Sequence, residues 1–157
     1  MSVDRQTQLE QLRSLPAKLI MLVRDLSSEA MTTPYIPGEW TVAQNVHHVA
    51  DAQMNFFVRF KNIILEDQPT LMPYDQDTWA ESPDAVHHDV SGALAIIVHV
   101  SHRWQRLARD LTDEQWQRTA HHPETGELVA ADLFSYAVDH IQVHIDQIEQ
   151  TLAAREN

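Results

Sequence analysis

Residues 139–148 read DHIQVHIDQI: His140 and His144 stand four apart, with isoleucines threaded around them and an aspartate on either side. On an α-helix an i, i+4 pair projects from one face, so the two imidazoles can reach a common point. Two chemistries suit that arrangement. Neutral rings can hydrogen-bond across an apolar core, or a divalent cation can take both lone pairs and offset the desolvation of two buried polar groups. The spacing alone admits both.

Composition narrows the choice. The 157 residues suit one domain, 1–157, with room for a core that needs no covalent staples. Aspartate and glutamate number 23 against 11 lysines and arginines, a formal net charge of −12, so the average surface field repels polyanions and nucleic acid is not an expected partner. No cysteine is present, which removes disulfides, thiolate metal sites and cysteine nucleophiles together and leaves soft chemistry to histidine. The opening MSVDRQTQLE lacks the apolar core of a signal peptide, and the run ALAIIVHV is far too short to span a bilayer. A soluble, cytoplasmic protein with no membrane partner is the expectation.

Four segments with helical apolar spacing must position the histidines. The first runs from about Ser14, where SLPA offers a capping serine and a first-turn proline, to about Leu26, with a looser helical lead-in before it. The second starts at Glu39-Trp40-Thr41 and sets Val42, Val46, Val49, Gln53, Phe56, Phe60 and Ile63 on one stripe. The segment QPTLMPYDQDTWAESPD, rich in proline and aspartate, then reads as an irregular crossover. The third helix runs from about Ala85 to Leu111, with Val90, Leu94, Ile97, Trp104 and Leu107 inward, and the fourth from about Ala131 to Leu152. Between them TDEQ, residues 112–115, carries the capping box of a short extra turn. Two of the three glycines fall in the turn-like PYIPGEW and HHPETGEL, and no segment reads convincingly as a strand. The pattern predicts an all-α four-helix bundle with a long crossover between helices two and three, an architecture that builds metal sites from facing helices.

Of the ten histidines, the fourth-helix pair looks inward: Leu133, Ala137, His140, Ile148 and Thr151 fall within about 40° of His144 at about 100° per residue. A third ligand must come from another helix. On the second, His47 lies about 150° from the apolar stripe, among solvent-facing positions, whereas His48 lies about 110° off, on a flank that a neighbouring helix can reach. His48 is the better candidate. His99 and His102 in VHVSHRW form a rival pair that periodicity leaves open, although the arginine beside them suits a solvated flank.

With these residues placed, GEWTV, HHVAD, RFK and PYD, followed by HRWQRLARDL, HHPETGEL and DHIQVHIDQI, resemble the DinB/YfiT-like family, and its YfiT-like subgroup most, from about Leu15 to Ile148. The resemblance implies a four-helix bundle, often dimeric, so a homodimer is expected. It also implies a divalent ion on three histidines, one from the second helix and an HxxxH pair from the last, which match His48, His140 and His144. The subgroup is described as metal-dependent hydrolases, with relatives that act as thiol S-transferases. Two departures stand out. The subgroup often has a further histidine where this chain has Gln53, and extra histidines where it reads YAVD; the ligand set survives, and the substrate or the surroundings of the ion differ.

Three neutral imidazoles leave an ion its full double charge and at least one open position, as in catalytic sites. Zinc suits such a site best, and nickel and iron also fit an all-nitrogen donor set. Asp51, Asp139 and Asp146 are candidates for accepting ring N–H groups, with a solvated acidic face as the alternative. Asn55 and Arg59 continue the His48 flank at i+7 and i+11 and are candidate substrate contacts; Arg59 can steer an anionic group, or serve as a surface cation beside the acidic crossover. Hydrolysis of a small ester or amide needs a base that the sequence does not identify. Transfer of a low-molecular-weight thiol to an electrophilic small molecule needs no protein nucleophile and no strong base, which suits this chain better. A non-enzymatic metal-binding bundle is the third class.

Overall fold

The computed structural model describes residues 3–155. Its elements are α1 (Val3–Val23), α2 (Ser28–Thr32), α3 (Val42–Leu65), α4 (Gln76–Ala80), α5 (Ser91–Arg109), α6 (Asp113–Trp116), β1 (Thr119–His122), β2 (Gly126–Val129) and α7 (Ala130–Ala154). The four long helices α1, α3, α5 and α7 make the expected bundle, and the stretch from α3 to α5 is its long crossover.

A reciprocal cap starts α3. The Thr41 hydroxyl accepts from the Gln44 N–H at 3.2 Å and Gln44 Oε1 accepts from the Thr41 N–H at 3.0 Å, so two otherwise orphaned donors are satisfied. The stripe read from the sequence is then buried along the helix, Gln53 included. The same cap chemistry, Thr112 with Gln115, starts α6 where TDEQ predicts it.

Three boundaries differ from the sequence expectation. The looser lead-in is itself helix: α1 begins by Val3, Pro16 lies inside it, and Ser14 bonds the Gln11 carbonyl at 3.3 Å. Leu9, Leu12, Leu15, Leu19 and Val23 are all buried, and this row outweighs the backbone bond lost at the proline. The helix stops at Val23, short of Leu26. At the third long helix, residues 85–90 are irregular although Ala85 and Val90 are buried, and α5 starts at Ser91.

A hairpin is present where no strand was expected. β1 and β2 pair antiparallel from Thr119↔Val129 to His122↔Gly126, and Gly126 closes the turn at φ 82, a conformation that side chains disfavour. Four-residue strands are too short to show alternation, and this one depends on a distant partner. His121 donates to Pro69 O at 2.9 Å and accepts from the Leu71 N–H at 2.8 Å, which ties the crossover to the hairpin.

Around the bundle, α3 packs on α5 and α7, and α1 packs on the same two helices, so α1/α3 and α5/α7 occupy the diagonals. Phe60, Trp104, Trp116 and Phe134 form an aromatic cluster with ring centroids 5.2–5.9 Å apart. Beyond it α3 and α7 run antiparallel: Gln53 donates to Ala137 O at 2.8 Å, and Asn45 faces His144. Among the described residues no helix is long and apolar enough to cross a membrane.

Candidate metal centre

At the α3/α7 interface the antiparallel alignment sets His48 opposite the HxxxH pair. His140 Nε2 stands 3.2 Å from His48 Nε2 and 3.2 Å from His144 Nε2. Two zinc–nitrogen bonds of about 2.0–2.1 Å meeting at the tetrahedral angle separate their nitrogens by about 3.4 Å, so this spacing is that of ligands sharing one first-row ion. His48 and His144 are buried and His140 is half-buried. Among the described residues no other three His, Cys, Asp or Glu side chains converge in this way. His47 bonds the His87 carbonyl at 3.2 Å and is not part of the cluster, and His99 and His102 on α5 also lie outside it.

The donor atoms are preset. Asn45 donates through Nδ2 to Thr41 O at 3.0 Å and Trp40 O at 3.4 Å, which orients its Oδ1 toward His144 Nδ1 at 2.8 Å. A carbonyl oxygen only accepts, so His144 carries its proton on Nδ1 and offers a bare Nε2 to the centre. Trp40 packs on His48 at 4.7 Å and stacks on His144 at 6.2 Å between centroids, while Phe56 sits edge-on to His140 at 5.3 Å. His140 Nδ1 is buried without a partner, as is Gln53 Oε1 on the facing helix. The donor set and its tautomer fit a divalent ion.

Asn45 was not found from the sequence, although it is a polar residue three positions before His48 on the same helical face. Asn45→Ala is expected to weaken metal affinity by about 10–100-fold, the usual effect of removing a ligand's hydrogen-bond partner, as read by competition with a chromogenic chelator. The aspartates proposed for that role do not fill it. Asp139 and Asp146 are exposed, Asp146 accepts from Gln142, and half-buried Asp51 has its carboxyl pushed up by burial and then by Asp84.

Burial lowers all three imidazoles, His48 to about 4, His140 to about 3 with help from the neighbouring rings, and His144 to about 4. They are therefore neutral lone-pair donors well below the ordinary imidazole value, and protons compete with a metal only in stronger acid. Metal retention is expected to stay flat from pH 8 to about pH 5 and to fall below it. In the metal-free protein the unfolded state binds more protons between its ordinary histidine value, about 6.5, and the folded values, so stability falls as pH drops through that window. Dialysis against buffers of stepped pH, with metal analysis and melting curves, checks both.

Two recesses meet at the histidines. One, of about 570 Å³, is lined by Phe56, Arg59, Tyr74, Leu128, Tyr136 and His140, with His122 beside them. The other, of about 710 Å³, is lined by Trp40, Asn45, His48, His144, Gln147 and again His140. Tyr136, Gln76 and His140 belong to both. Arg59, one of the two candidate substrate contacts, lines the first recess, with its guanidinium bonded to Met72 O and 5.8 Å from the Tyr74 ring. Asn55 does not: its amide bonds the Asp51 carbonyl at 2.9 Å, and it lines neither recess. Burial pushes the Tyr74 hydroxyl up to about 12, so it stays a donor. His122 Nδ1 accepts from the Glu124 N–H at 3.3 Å, which puts its proton on Nε2. Tyr74 and His122 went unnoticed as site residues, although PYD and HHPETGEL contain them.

Known proteins share this fold and much of this sequence. The family model for the DinB superfamily matches residues 11–148. YfiT of Bacillus subtilis (strain 168) is 37% identical over 148 residues, covering 92% of this chain and 83% of its own. A solved structure of YfiT, described as a probable metal-dependent hydrolase with an unusual four-helix bundle topology, superposes with a TM-score of 0.91 at 36% identity, covering 96% of this chain and 87% of that one. A Bacillus cereus (strain B4264) relative, provisionally named a metal-dependent hydrolase, is 38% identical over 150 residues, covering 93% and 86% of the two chains. A family-model match over most of the chain and relatives of this similarity place the protein in the DinB superfamily, of the YfiT-like kind.

Proposed function

We infer that the protein is a divalent-metal-dependent enzyme acting on a small molecule, with His48, His140 and His144 as the ligands, and that it transfers a low-molecular-weight thiol to an electrophile. The observation that carries the transfer reading is the pair of recesses meeting at His140 and Tyr136. A hydrolase holds one organic substrate and water, whereas a transferase brings two organic reactants together, and two recesses opening on one point suit the second task.

When bound, the ion supplies a Lewis-acidic double charge that lowers the pKa of a group placed beside it; zinc suits the site, and nickel or iron also match its nitrogen donors. The chain's own residues do the rest. Asn45 fixes the His144 tautomer, and Trp40 and Phe56 wedge the rings and keep them apolar on their outer sides. In the aromatic recess, Phe56 and Tyr136 offer faces to an apolar electrophile, the Tyr74 hydroxyl and the His122 Nε2–H are donors for its leaving oxygen or halide, and Arg59 is a cation for an acidic substituent. The second recess, with Gln147, Gln150 and Asp77 in its wall, matches the polar arms of a thiol. No step requires a cysteine or a carboxylate base. Hydrolysis of a small ester or amide is the second reading, favoured by the descriptions of the Bacillus relatives.

Metal-loaded protein is expected to consume an epoxide or alkylating substrate only when a small thiol is present, to lose that activity with chelator, and to regain it with zinc or nickel. Turnover of an ester or amide without thiol identifies the hydrolase instead, and failure of every substrate in a fully metallated sample leaves a binding module.

A further inference from the structure

Away from the histidines, α3 and α5 enclose a groove of about 700 Å³ that shares no lining residue with either recess at the metal centre. Its wall is cationic over an apolar floor. The Lys61 ammonium and the Arg103 guanidinium stand 5.9 and 5.3 Å from the Phe57 ring centroid, Arg106 lies beside them, and Leu107 and Leu111 complete the floor. Asp110 is the one carboxylate in the lining. An adjoining hollow shares His102, Arg106 and Asp110 and adds Arg109 and Gln105; Gln105 is 5% exposed, and its Nε2 donor has no hydrogen-bond partner.

This concentration is unusual for the chain. Only 11 of its residues are lysine or arginine, and Lys61, Arg103, Arg106 and Arg109 all border this face. Among the described residues none of the four forms an ion pair. The α5 carbonyl end accounts for Arg106 and Arg109 in its last turn, but not for Lys61 on another helix or for Arg103 a turn earlier. The four cations repel one another, the single carboxylate of Asp110 offsets only part of that repulsion, and a bound anion would offset more of it.

We propose that this groove is a second binding site, for a small phosphate monoester with an aryl or alkyl body. The Arg103 and Arg106 forks and Lys61 hold the phosphate oxygens, and Phe57, Leu107 and Leu111 take the apolar body. The volume is that of ordinary small-molecule sites. An extended polyanion does not suit it, because beyond the groove it meets the surface of a chain with net charge −12.

Calorimetric titration of the metal-loaded protein with phenyl phosphate tests this. One site is expected, weakened by raised salt, stronger for phenyl phosphate than for inorganic phosphate, and unchanged after chelation. In Arg103→Gln/Arg106→Gln, with unaltered melting temperature, affinity should fall by about tenfold or more, the loss of at least one charge-assisted bond. No binding at millimolar probe, equal affinity in the double variant, or binding that disappears with the chelator would overturn the site; the last outcome would move the phosphate to the histidines.

Discussion

His48→Ala is expected to lower metal affinity by at least about 100-fold, because a ligand matters more than the hydrogen-bond partners whose removal already weakens such sites by about 10–100-fold. His47→Ala, one residue away, is expected to keep full stoichiometry. The contrast follows from α3 geometry. His48 turns its Nε2 to within 3.2 Å of His140 Nε2, while His47 turns about 100° further round and bonds the His87 carbonyl. His140→Ala and His144→Ala should behave as His48→Ala does. Metal content after exhaustive dialysis, with helicity measured alongside, reads the result. Retention by His48→Ala with loss in His47→Ala would show that the ligand was misassigned, and retention by both would remove α3 from the site.

Phe134→Ala is expected to destabilise the fold by about 3–5 kcal/mol, the usual range for emptying a buried phenylalanine site. In a chain of this length that lowers the melting temperature by roughly 10 °C. Phe134 has no exposed surface and touches Phe60, Trp104 and Trp116 at ring separations of 5.2–5.9 Å, so its removal loosens three helices at once. It lies six residues, about 9 Å along α7, before His140, so molecules that remain folded should still bind metal in full. Thermal unfolding followed by circular dichroism, at fixed metal saturation, separates the two effects. A drop of less than about 2 °C would mean that the cluster does not anchor the bundle.

The bundle was legible where one helix carried its own signals. In α3 the Thr41 cap, the Gln44 reply and an apolar stripe over six turns agree, and the structure follows them nearly residue for residue. The HxxxH pair was legible for the same reason: an i, i+4 spacing fixes direction without knowledge of any partner. Signals that depend on distant contacts were not legible. Ser14 and Pro16 carry the marks of a helix start, yet the leucine row that keeps α1 helical through the proline is stabilised only once α5 and α7 cover it. The hairpin has four-residue strands and rests on Pro69 and Leu71 from the crossover, about fifty positions earlier. Asn45 acts only across the helix interface, on a residue 99 positions later. The recesses are made from α3, α7, the crossover and the hairpin together, which is why Arg59 could be suggested from its flank while Tyr74 and His122 could not.

The proposed centre holds one divalent ion on the Nε2 atoms of His48, His140 and His144. Anomalous diffraction from crystals of zinc-loaded protein, recorded on both sides of the zinc edge, addresses it directly. One strong peak is expected, about 2.0–2.1 Å from all three Nε2 atoms, with His144 Nδ1 still on Asn45. A peak on Nδ1 atoms, on His99 and His102 or on the aspartates, or no peak at the three histidines in a fully loaded crystal, would contradict it.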